Sequence, residues 1–297
     1  MTTFGHTLTF MGTGASCGVP AFYCGCKACQ EARVDPRAAR DCSGLMIVGQ
    51  QYTLIDAAPE LRIQLIREGV SSIDRLLFTH EHFDHIGGLP QLEFYVRLKT
   101  KTPVPVYGGA QTIAAIKQQY AFMLDTLDIH TIESFETLDF DGVRYTALPA
   151  AHNEGCFGYL IEKETVTERQ GTMRQGDGSL MRQGDGSLVS SVSSPSSSRM
   201  AYFPDTGPLP LQTLECLYDL DTLIIDSTFS GANWMPKKHH SIDEAIALAE
   251  QLGPKQTYLT HLAMHFDEPI TLKELTDRLS VYNGAISVAY DGLRISF

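Results

Sequence analysis

Between Phe78 and Gly88 the chain reads FTHEHFDHIGG, so His80, Glu81, His82, Asp84 and His85 fall within six positions directly after the apolar run Leu76-Leu77-Phe78. Imidazole and carboxylate are the ligands expected of zinc, manganese or iron. A strand alternates its side chains, so His80 and His82 can face one ion. The turn that Gly87-Gly88 permits lets Asp84 and His85 face a second. No metal site is closed by this stretch alone. Three further apolar runs each deliver one more ligand type: YTALPAAH ends on His152, MAYFPDTG carries Asp205, and TYLTH ends on His261. Ligands collected at the ends of strands are where α/β proteins build their active sites. The predicted partition is His80, His82 and His152 on one ion and Asp84, His85 and His261 on the other. Asp205 bridges them and leaves room for a bridging hydroxide. A lone His152 or His261 would be an ordinary loop residue; seven such residues at strand ends are not.

A second cluster lies nearer the N-terminus, where GTGASCGVPAFYCGCKAC holds Cys24, Cys26 and Cys29. Three thiolates at this spacing can take three corners of a tetrahedral structural zinc, with a fourth ligand from elsewhere. The chain has 7 cysteines, an odd number. Met1 to Phe10 has neither the basic start nor the apolar length of a signal peptide. Clustered thiols in a leaderless chain predict metal ligation in a reducing cytoplasm, not a disulfide framework.

The elements that must position these residues follow from hydrophobic periodicity. Strands are predicted at 7–10, 45–48, 52–55, 75–78, 104–107, 143–148, 157–161, 223–225, 257–259 and 286–289. Helices are predicted at 60–68, 86–98, 111–124, 209–218, 242–252 and 272–281. Their alternation argues for α/β layering, and leading and trailing β-meanders disfavour a simple doubly wound sheet. Ser241 and Glu244 form a capping box for the 242–252 helix. Residues 162–200 differ: they are Ser-, Gly- and Gln-rich and contain MRQGDGSL twice in tandem. They read as a mobile loop or hairpin extension inserted in one domain spanning 1–297.

With 23 Lys+Arg against 35 Asp+Glu, the net charge of −12 disfavours nucleic acid as a partner. No run of 18 apolar residues suggests a membrane span. A homodimer is compatible with everything above.

The stretch THEHFDHIGG, the order of the remaining ligands and TLIDAA at 53–58 together resemble the metallo-β-lactamase-fold superfamily. That resemblance implies a four-layer αββα sandwich with a dinuclear site on one edge, and places Asp56 beneath the metals as a support. The Cys24-x-Cys26-x-x-Cys29 stretch is similar to the PhnP family of phosphodiesterases, over nearly the whole chain apart from 162–200. In that family the fourth zinc ligand is a histidine three residues after the last catalytic-metal histidine. Here Met264 stands at that place and His265 one residue later, so His265 is the expected ligand. His240, in KKHHSIDEAIALAE, aligns with the family's proton donor, and with Asp84 it completes the expected catalytic pair.

The resemblance implies a phosphodiesterase with two divalent ions, zinc or manganese, at the catalytic site and one structural zinc. Its substrate would be a small, cyclic ribose or nucleotide phosphodiester. Three alternatives stay open at this point. One is a tRNase Z-like endonuclease, whose arm is inserted where 162–200 falls. Another is a thioester or lactone hydrolase, and the last is a non-catalytic PqqB-like binding protein.

Overall fold

The computed structural model describes residues 5–165 and 196–297. Its strands are β1 (Thr7–Gly12), β2 (Gly44–Val48), β3 (Tyr52–Ile55), β4 (Arg75–Leu77), β5 (Val104–Gly108), β6 (Leu127–Thr131), β7 (Thr137–Phe140), β8 (Val143–Pro149), β9 (Phe157–Thr165), β10 (Ser196–Phe203), β11 (Thr222–Asp226), β12 (Gln256–Thr260), β13 (Ile286–Val288) and β14 (Arg294–Ser296). Among the described residues they form two seven-stranded sheets, in the orders β14-β1-β2-β3-β4-β5-β6 and β13-β12-β11-β10-β9-β8-β7. Each sheet is antiparallel towards one edge and parallel towards the other: β14, β1, β2 and β3 pair antiparallel and β3 to β6 parallel in the first, while β7 to β10 pair antiparallel and β10 to β13 parallel in the second.

The helices are α1 (Lys27–Ala32), α2 (Leu61–Arg67), α3 (Phe83–Ile86), α4 (Gln91–Phe94), α5 (Ala110–Gln119), α6 (Leu211–Cys216), α7 (Ile242–Leu252) and α8 (Leu272–Leu279). Three apolar layers explain the sandwich. Leu8, Leu45, Ile55, Leu77, Tyr145, Tyr159, Tyr202 and Ile224 meet between the sheets. Leu54, Leu76 and Phe78 turn outward to pack with residues of α2 to α5. Leu223, Ile225 and Leu259 turn outward to pack with α7 and α8. The switch from Leu76 to Leu77 to Phe78, and from Leu223 to Ile224 to Ile225, is the period-2 alternation of strands buried on both faces. The result is the expected αββα arrangement.

The structure departs from the predicted elements in places. The single helix expected over 86–98 is broken into α3, α4 and a π-helical turn over Tyr95–Thr100. Gly88 is the reason: a Cβ there would come within 2.2 Å of Ala58 O, so the chain turns in close contact before Pro90 restarts the helix. The helix expected over 111–124 ends at Gln119 and continues as a 3-10 turn. Strands β6 (LDIHT), β7 (TLDF) and β14 (RIS) do alternate, but at 5, 4 and 3 residues they are too short for the pattern to single them out. The predicted insertion narrows: residues 162–165 and 196–200 pair as antiparallel strands, and 166–195, with the tandem repeat, lie outside the described residues. Among the described residues no helix is long and apolar enough to cross a membrane.

Helix α7 begins as its sequence demands, with Ser241 Oγ accepting from Glu244 N–H and the Glu244 carboxylate accepting from Ser241 N–H. Such a box stabilises a helix start by about 1 kcal/mol. It also fixes where residues 239 and 240 enter the site.

Candidate metal centre

Strand β4 ends at Leu77, and the turn that follows carries Thr79, His80 and His82 before α3 presents Asp84 and His85 in its first turn. His152 follows β8, Asp205 follows β10 and His261 follows β12. The ligand atoms of His80, His82 and His152 all lie within 4.8 Å of one another, as do those of Asp84, His85 and His261, and those of His80, His85 and Asp205. Asp205 thus stands between the two triplets. Zinc bonded to nitrogen at 2.0–2.1 Å in tetrahedral geometry spaces its ligand atoms about 3.3 Å apart. The cluster shows 3.2 Å between His82 and His152, 3.4 Å from His85 Nε2 to Asp84 Oδ2, 3.5 Å from His261 Nε2 to Asp84 Oδ2, and 3.2 Å from His261 Nε2 to Asp205 Oδ2. His80 Nε2, His85 Nε2, His261 Nε2 and Asp205 Oδ2 are buried without a hydrogen-bond partner, although His85 Nε2 lies 2.8 Å from Asp205 Oδ2. Buried polar atoms left without partners are costly, and here they converge. The residues fit a pair of divalent ions.

Each sheet supplies a strut beneath the ligands. In the first, Asp56 at the end of β3 accepts from Thr79 N–H at 2.8 Å, from Thr79 Oγ1–H at 2.9 Å and from His85 Nδ1–H at 2.8 Å. Because the Thr79 hydroxyl donates to Asp56, it accepts from His80 Nδ1–H at 3.0 Å. In the second, Asp226 at the end of β11 accepts from Thr206 N–H, Thr228 N–H, Thr228 Oγ1–H and His239 Nδ1–H, all at 2.6–3.0 Å. Four donors saturate its carboxylate, so Asp226 is an anchor although it stands close to Asp205, His239 and His261. The Thr228 hydroxyl accepts from His261 Nδ1–H at 2.9 Å. His152 Nδ1–H donates to Lys238 O at 2.9 Å. Such partners fix the tautomer and aim Nε2 at the centre. Asp56 and His261 hold φ of +68° and +55°, backbone strain of about 1–3 kcal/mol each, both beside His85.

The charges are divided. Burial holds His80, His82 and His152 below the usual imidazole range. Burial would do the same to His85 and His261, but the surrounding carboxylates, Asp84 and Asp56 for His85 and Asp205 and Asp84 for His261, hold both above it. Burial would raise the Asp84 and Asp205 carboxyls, yet the neighbouring histidines hold both well below the carboxylate range.

The cluster opens on a cavity of about 240 Å³ lined by His82, Asp84, His152, Asp205 and His261 and walled by Ser16, Lys238, His239 and the ring of Trp234. His240 does not line this cavity; it is buried, while its neighbour His239 does. Ser241 is extended and bridged to Phe229, whose N–H donates to His240 O and whose carbonyl accepts from Ile242 N–H, while His239 N–H donates back to Met235 O in the preceding turn. His239 stacks parallel to His261 at 5.6 Å and meets His152 edge-on at 4.8 Å. The missed signal was the loop itself. Gly207 lets it lie down on the sheet, since a Cβ there would come within 2.6 Å of the Lys237 backbone.

The cysteines form a separate group. Cys24, Cys26 and Cys29 bring their sulfurs within 4.8 Å of one another, and Arg33 braces their loop by donating to Cys29 O, Ala21 O and Cys24 O. Burial pushes the Cys29 thiol up to about 12. The expected fourth ligand, His265, is not brought into this group. Met264 is buried with its Sδ accepting from Arg40 Nε–H, and the turn from Ala263 to Phe266 lays His265 edge-on against the Phe266 ring at 4.9 Å.

A sequence profile of the beta-lactamase superfamily domain matches residues 51–262. The chain is 26% identical to a ribonuclease BN of Cronobacter sakazakii over 97% of this chain and 99% of that enzyme. It is 25% identical, over 95% of its length, to an octanoyltransferase of Porphyromonas gingivalis, but spans only 50% of that protein. A diphosphatase of the PhnP family superposes with a TM-score of 0.77 and 26% identity, covering 99% of this chain and 97% of the other. The full-length ribonuclease match removes the support for disfavouring nucleic acid on net charge alone. The chain belongs to the beta-lactamase superfamily, has its metallo-β-lactamase fold and is a metal-dependent hydrolase.

Proposed function

We propose that this hydrolase cleaves small phosphodiesters, cyclic ribose or nucleotide phosphates foremost, at a site for two zinc or manganese ions. The observation that carries this reading is the opening of the seven-ligand cluster onto one small cavity that is also lined by Lys238 and the imidazole of His239. His80, His82 and His152 would hold one ion, Asp84, His85 and His261 the other, and Asp205 both. Two such ions, when bound, acidify a water and neutralise phosphoryl oxygens.

The protein's own groups do the rest. Lys238 Nζ, held at 2.9 Å by Asn153 Oδ1, offers a positive charge to a phosphoryl oxygen. His239 has Nδ1 tied to Asp226, which leaves Nε2 to protonate the departing alkoxide. A positioned general acid contributes about 10²–10⁴-fold for such a leaving group. The Cys24, Cys26 and Cys29 thiolates would take three corners of a structural zinc, which suits a reducing, cytoplasmic setting. A second reading, cleavage at the end of an RNA chain, is favoured by the full-length likeness to a ribonuclease BN.

The test is turnover by metal-loaded protein, with and without chelator. The panel holds adenosine 2′,3′-cyclic phosphate, ribosyl 1,2-cyclic phosphate, ADP, an RNA with a 3′ trailer and an octanoyl thioester. Chelator-sensitive opening of the cyclic phosphates is expected. Trimming of the RNA with no action on the cyclic phosphates would transfer the assignment to the second reading. Turnover of the thioester alone would sink both.

A further inference from the structure

The mouth of the cavity carries an aromatic group for which the proposed chemistry has no use. Trp234 is 60% exposed, yet it belongs to the cavity wall together with Phe229, Met235 and Phe266. Phe229 is buried beneath it and meets the indole edge-on at 5.0 Å, and Phe266 lies 6.2 Å away at its side. Burying an indole is among the largest apolar gains a side chain offers, so a tryptophan held mostly in solvent calls for a reason.

The loop around it is built to hold it there. Asn233 Nδ2 donates to His239 O at 2.8 Å and to the Glu244 carboxylate at 2.7 Å, while its Oδ1 accepts from Met235 N–H at 3.0 Å. Ser230 Oγ–H donates to Glu268 O at 2.6 Å. Trp234 therefore sits between Asn233 and Met235, both tied to the segment that carries His239 into the site.

The size of the cavity supplies the other half. About 240 Å³ is at the small end for a ligand pocket. It has room for a ribose phosphate against the ligand cluster and Lys238, so a base attached to that ribose must lie at the mouth. Every nucleobase has a π-face, and a braced aromatic ring is a stacking platform that tolerates any of them.

We infer that Trp234, backed by Phe229 and Phe266, is a nucleobase platform, and that the substrates are nucleosidic phosphodiesters in preference to base-free ribose phosphates. The inference rests on the phosphodiesterase reading and narrows it to a substrate class.

Adenosine 2′,3′-cyclic phosphate and methyl riboside 2,3-cyclic phosphate present the same scissile ring with and without a base. Stacking on an aromatic side chain corresponds to about tenfold to a hundredfold in affinity. Trp234→Ala is expected to raise KM for the adenosine compound by at least about tenfold more than for the methyl riboside, and Trp234→Phe to restore most of the difference. Equal shifts for both substrates would overturn the platform. The chain has 1 tryptophan, so intrinsic indole fluorescence reports on this residue alone. AMP should quench it saturably and ribose 5-phosphate should not; no response to AMP, or the same response to both, would also overturn it. The two readings fail differently. Quenching by AMP without turnover of any diester would keep the platform and discard the reaction. Turnover with equal KM for both cyclic phosphates would do the reverse.

Discussion

His80, His82 and His152 form one half of the cluster and Asp84, His85 and His261 the other, and the halves differ in what surrounds them. In the first, three imidazoles face one another with no carboxylate of their own, and burial keeps them neutral. His82 and His152 are half-buried and lie towards the cavity. In the second, His85 and His261 are buried among Asp56, Asp84, Asp205 and Asp226, which favour the protonated rings. The first half offers lone pairs ready for a cation. The second carries a charge pair that a cation must replace. Each plan solves the same problem, that a buried charge needs a partner, in a different way.

Only Asp205 belongs to both plans, so its loss should be the most damaging. Asp205→Asn is expected to leave less than half of the normal metal per chain after dialysis. It should also cut turnover by about a thousandfold or more, since several kcal/mol of charge stabilisation go with the carboxylate. Metal analysis beside steady-state rates would check both. A variant that kept two ions and most of its activity would show that the halves are independent sites.

The second half reaches further than its ligands, because Asp226 holds both Thr228 beneath His261 and His239 beside it. His239→Ala should therefore cost about a hundredfold or more with an alkoxide leaving group, and far less with p-nitrophenolate, which departs without a proton. His240→Ala should leave turnover per folded molecule within about threefold, because His240 does not face the cavity. Rates across a leaving-group series would separate the two. A larger loss for His240→Ala would put the proton donor back where the motif alone had it.

That pair of histidines marks the limit of what the sequence makes legible. The ligand knot at 80–85 and the strand ends at His152, Asp205 and His261 were readable because the strand period and the apolar runs dictate where such residues emerge. The layers of the sandwich were readable for the same reason. Which of the adjacent His239 and His240 meets the cavity depends on how their loop lies against Phe229 and Gly207, and no local pattern announces it. The place of His265 is likewise set from a distance: the buried contact of Met264 with Arg40 fixes the turn, which no local pattern announces. Asp226 was invisible, because a carboxylate at a strand end looks the same whether it binds a metal or saturates itself with four donors.

The contrast between the halves also predicts how each responds to pH. His80, His82 and His152 lie below the usual imidazole range, so near neutral pH they have no proton to lose and their ion should bind almost independently of pH. His85 and His261 lie above that range, so each must release a proton before its Nε2 can coordinate. The sign follows: acidifying strengthens the proton's hold on these rings and weakens the second ion. Lowering pH from 7 to 6 should reduce affinity at the second half, by at most about tenfold for each proton displaced. The first half should change by less than about threefold. Calorimetry in buffers of different ionisation enthalpy counts the protons directly, with more expected to be released at the second half than at the first. Equal counts would mean that Asp205, shared by both, levels the field across the whole cluster.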